Sequence, residues 1–218
     1  MALLGILARV SYRLSRQRFL GMPLDRALVV LAAAAVVYAV GAALLGAGWP
    51  IAPALLPLLA LWCLASVALR RRGFVVFVAE APSPPAPLSL RGRGEVDLEP
   101  FQQVAVRASG FFEVREERRY FVEASGRYEA TALGERIVMV QVQPVSLLGL
   151  LGSPEDEWGW WYAFLQPEEV KAVVPGELRF GRGRRPALRL DLAGAPPVYL
   201  SFDSPTDRNL VMGDLCHK

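Results

Sequence analysis

From Ala27 to Leu69 the chain runs for 43 residues without an Asp, Glu, Lys, Arg or His. A purely water-soluble fold does not accommodate such a stretch. A helix needs about 20 apolar residues to cross a bilayer core of roughly 30 Å, so the block has room for two spans. Gly46-Ala47-Gly48-Trp49-Pro50 marks the break between them. Gly48 and Pro50 suit a tight turn, and Trp49 suits the headgroup level. The pattern predicts a first span over Ala27–Leu45 and a second over Ile51–Leu69, with Pro53 or Pro57 placed to kink the second. A cleaved signal peptide would need a short apolar run near the N-terminus and a small-residue cleavage site. Here the run begins late and continues into a second span.

The charges flank this block. Arg9, Arg13, Arg16, Arg18 and Arg26 precede it against one acid, Asp25, and Arg70, Arg71 and Arg72 follow it. The turn between the spans carries no charge, so the positive-inside rule predicts both chain ends in the cytoplasm. The expected location is the cell (inner or plasma) membrane, as a multi-pass protein. From Gly73 onward there are 16 basic and 20 acidic residues. The net charge of +3 therefore hides a mildly acidic remainder. That argues against nucleic acid as a partner, because phosphate binding needs a basic face on the folded domain. Leu3, Leu4, Ile6, Leu7, Val10 and Leu14 form an apolar helical stripe, with arginines at Arg9, Arg13, Arg16 and Arg18. This is the pattern of an amphipathic helix lying on an anionic membrane. A helix packed on the chain's own soluble domain, or on a partner, has the same pattern. Neither span holds an ionisable residue, which argues against an ion path. Ala32–Ala35 and Gly41-Ala42-Ala43 offer small-residue faces for helix packing.

After the spans the periodicity changes. Phe74–Glu80 is a short β-type run, and the proline-rich Ala81–Pro87 reads as a stiff linker. Strand-like runs follow at Gln103–Ser109, Phe111–Arg115, Arg119–Ala124, Arg127–Thr131 and Glu135–Val142. More follow at Trp158–Leu165, Val170–Val174, Glu177–Phe180, Ala187–Leu192 and Val198–Phe202. Gly110, Ser125-Gly126 and Leu133-Gly134 punctuate the series. Many short strands with such punctuation predict a β-barrel or sandwich. Ser204-Pro205-Thr206-Asp207 then signals a helix start: a capping Ser, Pro at the first helical position, and a carboxylate near the N-terminal dipole. Leu210, Val211 and Leu215 would share its inward face.

The stretches VRASGFFEVREERRYFVEA, GELRFGRGRRPALRLDL and VYLSFDSPTDRNLVMGDL, within Glu99–Leu215, resemble the pleckstrin-homology-like fold. They look like bacterial membrane-anchored proteins that carry such a domain. The resemblance implies a bent antiparallel barrel of seven strands with a C-terminal helix, and a binding role rather than chemistry. The expected class is α+β: an N-terminal transmembrane helical hairpin followed by the barrel. The expected division is a basic amphipathic segment at 1–26, the hairpin at 27–72, a strand-like run and linker at 73–87, and the β-domain at 88–218.

No Cys/His cluster, P-loop, Gly-rich nucleotide motif or Ser-His-Asp set is present, and His217 is the single histidine. Cys63 and Cys216 are not expected to pair. No catalytic residue, metal site, cofactor or small-molecule substrate is assigned. Membrane-facing candidates are Arg9, Arg13, Arg16, Arg18, Arg70, Arg71 and Arg72, with Arg182, Arg184 and Arg185 on the Gly181–Arg185 turn. The same turn reads equally as a solvated loop. Arg115, Arg118 and Arg119 are interleaved with Glu113, Glu116 and Glu117, which offset their charge. Glu155-Asp156-Glu157 reads as a solvated acidic loop. Partner-contact candidates are Leu147, Leu148 and Leu150 in the apolar run Val145–Leu151, and Trp158, Trp160 and Trp161. Both groups also fit ordinary core packing. The expected partners are membrane lipids and other membrane proteins. Three function classes follow: a non-catalytic membrane-anchored interaction module, such as an accessory subunit of a larger membrane complex; a domain sensing anionic lipids; and a membrane-bound enzyme with an unrecognised site.

Overall fold

In a computed structural model, the described residues are 2–19, 22–45, 55–80, 102–114, 117–131, 135–142, 159–165 and 169–216. The chain forms two compact units. One is built on the residues up to Phe74, and the other runs from Val75 to the C-terminal helix.

The helical unit holds α1 (Ala2–Arg16), a short antiparallel pairing of β1 (Arg18–Phe19) with β2 (Met22–Pro23), α2 (Leu24–Leu44) and α3 (Leu55–Arg72). The backbone N–H of Leu24 donates to the carbonyl of Gln17 at 2.7 Å, which holds the reversal between α1 and α2. Pro23 directly precedes α2 and Asp25 lies in its first turn. Arg70, Arg71 and Arg72 fill the last turn of α3. Each charge therefore complements the dipole of its own helix. Asp25 and Arg70 pair with one another, so the first turn of α2 lies beside the last turn of α3.

The second unit is an open eight-stranded antiparallel sheet with a C-terminal helix. Its strands are β3 (Val76–Ala79), β4 (Gln103–Val114), β5 (Glu117–Ala130), β6 (Arg136–Val142), β7 (Gly159–Leu165), β8 (Val170–Phe180), β9 (Gly183–Leu192) and β10 (Val198–Ser201). The strand order is β3-β8-β9-β10-β4-β5-β6-β7. Two meanders, β4 to β7 and β8 to β10, join where β10 pairs with β4. The β-type run Phe74–Glu80 thus supplies a sheet strand, β3, and the sheet begins ahead of the expected boundary at residue 88.

Fewer, longer strands replace the expected short ones. Gly110, Gly126 and Gly176 lie inside β4, β5 and β8 rather than between strands. Gly110 borders a register shift, a bulge in which Val122 and Glu123 of β5 oppose Ser109 alone. Gly126 and Gly176 lie where neighbouring backbones come too close for a Cβ: that of β6 at Met139–Val140, and that of β3 at Val78–Ala79. Gly181 does form a turn. It is the first of two residues joining β8 to β9, with φ of 63°, as a II′-type hairpin loop requires.

The core draws on the alternating residues of the central strands: Val104 and Val106 of β4, Phe121 and Tyr128 of β5, Val138 and Val140 of β6, Leu188 and Leu190 of β9, and Leu200 of β10. Helix α4 (Pro205–Cys216) adds Val211, fully buried, with Leu210, Met212 and Leu215 packed beside it. Its start is built as the sequence suggests. The Ser204 hydroxyl accepts the N–H of Thr206 at 3.1 Å, and Pro205 opens the helix.

Candidate functional site

Alternation along β6 buries Arg136, Val138, Val140 and Val142 on one face. A guanidinium there cannot stay unmatched, because an isolated charge in an apolar core is very costly. Its match comes from α4. Arg136 donates through Nε to Asp214 Oδ2 at 2.5 Å and through Nη2 to Oδ1 at 2.6 Å. The Tyr128 hydroxyl donates to the same Oδ2 at 2.5 Å. Asp214 is 1% exposed, and Tyr128 is fully buried. A two-point Arg–carboxylate fork is directional, so this cluster sets the position of α4 against β5 and β6.

Burial, then the bond to Asp214 and its charge, push the Tyr128 phenol far above its ordinary value. A folded value raised in this way gives stability that is complete below the unfolded phenol value of about 10 and is lost as pH rises through the folded value. Urea midpoints are therefore expected to fall above about pH 10. Tyr128→Phe should make that fall shallower, with Tyr199, also raised by burial, supplying part of what remains. An identical alkaline slope in the variant would remove Tyr128 as its source.

The helical unit has its own buried contacts. Arg70 Nε donates to Asp25 Oδ2 at 2.9 Å, and its Nη2 closes the fork on Oδ1. Asp25 is 4% exposed and is the only acid before Glu80. Ser11 of α1 and Ser66 of α3, both buried, share a hydrogen bond at 3.2 Å. Tyr12 packs its ring 5.3 Å from that of Phe74. Cys63 of α3 approaches the Leu28 carbonyl of α2 at 3.8 Å.

Outside these contacts the helices show apolar side chains. Val30, Leu31, Val37, Tyr38, Val40 and Leu44 of α2 are exposed, as are Leu61 and Leu64 of α3. Among the described residues, α2 is the one helix long and apolar enough to cross a membrane. Its 21 residues span about 30 Å, the thickness of a bilayer core.

The candidate arginines separate by environment. Arg16 is buried and Arg70 is held by Asp25. Arg9, Arg13, Arg71 and Arg72 are exposed. The side chain of Arg18 lies outside the described residues. At the β8–β9 tip, Arg182 and Arg184 are exposed, while Arg185 pairs with Glu123 at 3.3 Å and with Asp203. Asp203 also faces Arg107 at 3.6 Å. Glu123 holds a φ of 46° in the bulge of β5, where Val122 and Glu123 face Ser109 alone, and its N–H donates to the buried Ser109 hydroxyl at 2.9 Å. Arg118 lies over the Phe111 ring at 4.2 Å.

Trp161 is paired in register with Val140 and packs 5.1 Å from the Phe121 ring, so it belongs to the core face. Trp160 is paired in register with Gln141, and its side chain lies outside the described residues. Trp158, Leu147, Leu148 and Leu150, and with them Val145–Leu151 and Glu155-Asp156-Glu157, lie outside the described residues.

The sequence reading missed both buried forks, although each left a trace. Asp25 is a lone acid at the mouth of an apolar block. Arg136 occupies an inward position of an alternating strand, and Asp214 follows Val211 by three residues on α4. The class these features define is an α+β protein with an apolar N-terminal helix and an antiparallel sheet carrying a C-terminal helix. No protein-family model, curated protein or solved structure matches this chain.

Proposed function

We propose that this chain is a non-catalytic, membrane-anchored interaction module that serves as an accessory subunit of a larger membrane assembly. The observation that carries the reading is α2, whose large apolar side chains stay exposed along a bilayer's thickness while its one acid is neutralised internally. So large an apolar surface on a protein in water would drive association. In this reading α3 also crosses, antiparallel to α2, with Arg70–Arg72 and the basic N-terminal segment in the cytoplasm. The sheet unit is read as pleckstrin-homology-like in its layout, with an open sheet of eight strands in place of the expected closed barrel of seven. Support comes from its two meanders joined through β10 and β4, and from the helix over its core. A role in binding rather than lipid sensing at the hairpin tip is favoured by Arg185, whose charge is already met by Glu123 and Asp203.

The full chain is expected to stay in the membrane pellet after alkaline carbonate extraction. It should elute from mild detergent together with another membrane protein, at a size above that of its own 23.9 kDa in detergent. Val37→Lys, which puts a charge in mid-span at about 2.5–3.5 kcal/mol, should shift protein into the carbonate-soluble fraction. A wild-type chain that washes off the membrane would sink the anchor. A chain that purifies alone as a monomer would sink the subunit role.

A further inference from the structure

Helix α1 packs with an unexpected face. Ala8, Ser11 and Tyr12 are buried, with the contacts to Ser66 and Phe74 described above. Of the apolar stripe, Leu3 is 80% exposed, Ile6 42% and Val10 40%, while Leu7 and Leu14 at its inner edge are half-buried. A helix that needed only its own protein would bury Leu3, Ile6 and Val10 and expose the serines. Here the polar face is matched by a serine on α3, and the apolar face is left for something else.

Charge identifies what that is. The first 79 residues contain eight arginines and one acid, Asp25, which is already forked by Arg70. Arg13, Arg71 and Arg72 are exposed and carry no ion pair among the described residues. The Ser11–Ser66 and Tyr12–Phe74 contacts bring the second half of α1 to the end of α3 that bears Arg71 and Arg72. Helical periodicity puts Arg9 and Arg13 along one margin of the apolar stripe. The apolar stripe and the basic margin thus share one end of the helical unit.

We propose that α1 is seated in the surface of an anionic bilayer, with Leu3, Ile6 and Val10 among the acyl chains and Arg13, Arg71 and Arg72 on lipid phosphates. This rests on the anchoring reading and extends it: the end of the unit selects negatively charged lipid. Long arginine stems reach the headgroup level while their apolar neighbours stay in lipid.

The test uses the full chain with Cys216→Ala, Cys63 being buried. It is reconstituted in nanodiscs of phosphatidylcholine and phosphatidylglycerol. An environment-sensitive fluorophore is placed on Val10→Cys or, as a reference, on Val37→Cys. Quenching is read with spin-labelled forms of each lipid. The expected result is that both labels are quenched, and that spin-labelled phosphatidylglycerol quenches the Val10 label more than spin-labelled phosphatidylcholine. Local enrichment should be roughly fivefold for each engaged arginine at low salt. Alanine at Arg13, Arg71 and Arg72 together, or high salt, should equalise the two lipids. A Val10 label in water beside a quenched Val37 label overturns the proposal and leaves the anchor standing. Equal quenching of the wild-type Val10 label by both lipids at low salt overturns the selection of anionic lipid. If the Val37 label also stays in water, the anchoring reading falls with it.

Discussion

Asp214→Ala is expected to lower the stability of the sheet unit by about 3–5 kcal/mol, the usual consequence of removing one partner of a buried ion pair. The carboxylate accepts both arms of the Arg136 fork and the Tyr128 hydroxyl. Without it a guanidinium 7% exposed and a phenol in the core lose their acceptor together. Urea denaturation of the full chain in detergent, followed by the β signal in circular dichroism, measures the loss. The double variant Arg136→Met with Asp214→Leu should recover part of it, since an apolar replacement removes the stranded charge. A midpoint for Asp214→Ala within error of wild type would show that the cluster does not hold α4.

Gly126→Ala should be the most damaging of the glycine substitutions, at about 1–3 kcal/mol or above. The added methyl would overlap the Met139 carbonyl oxygen and lie 2.9 Å from Val140 Cα. Those atoms belong to β6, which is held on both sides by β5 and β7, so neither backbone can yield without breaking ladder bonds. Gly110→Ala is the control. Its methyl would meet only side chains of Phe121 and Val198, at 3.6 Å or more, and should cost much less. Gly176→Ala would press on Val78 and Ala79 of the edge strand β3, so its effect should be greatest on that strand. The same denaturation series ranks the three, and a Gly126 variant as stable as the Gly110 variant would refute the close approach of β5 and β6.

These glycines also show where reading along the chain stops working. A glycine at a turn and a glycine under a neighbouring strand look alike in sequence, because the difference lies in what approaches from outside the segment. Gly181 could be read correctly: its φ is a local requirement of a two-residue loop. Gly126 could not, because the backbone that excludes a side chain belongs to another strand.

Features that depend on neighbours in sequence were determined by the sequence itself. The uncharged block, the arginines at its ends, the Ser204 cap and the strand-to-helix change near the C-terminus are all of this kind. Hydropathy, capping and alternation act over one or two turns of chain, and no tertiary contact is needed to express them. The tertiary structure alone decided which charges are spent internally. Asp25 and Arg70 are 45 positions apart, and Arg136 and Asp214 are 78 apart. In sequence, Arg70 is indistinguishable from Arg71 and Arg72. It is half-buried and paired because the start of α2 brings a carboxylate beside it. The face of α1 was decided in the same way. Its apolar stripe is written in Leu3, Ile6 and Val10, yet the packed side is the one where Ser11 finds Ser66. A buried polar group must find a partner, and that partner sits on another helix.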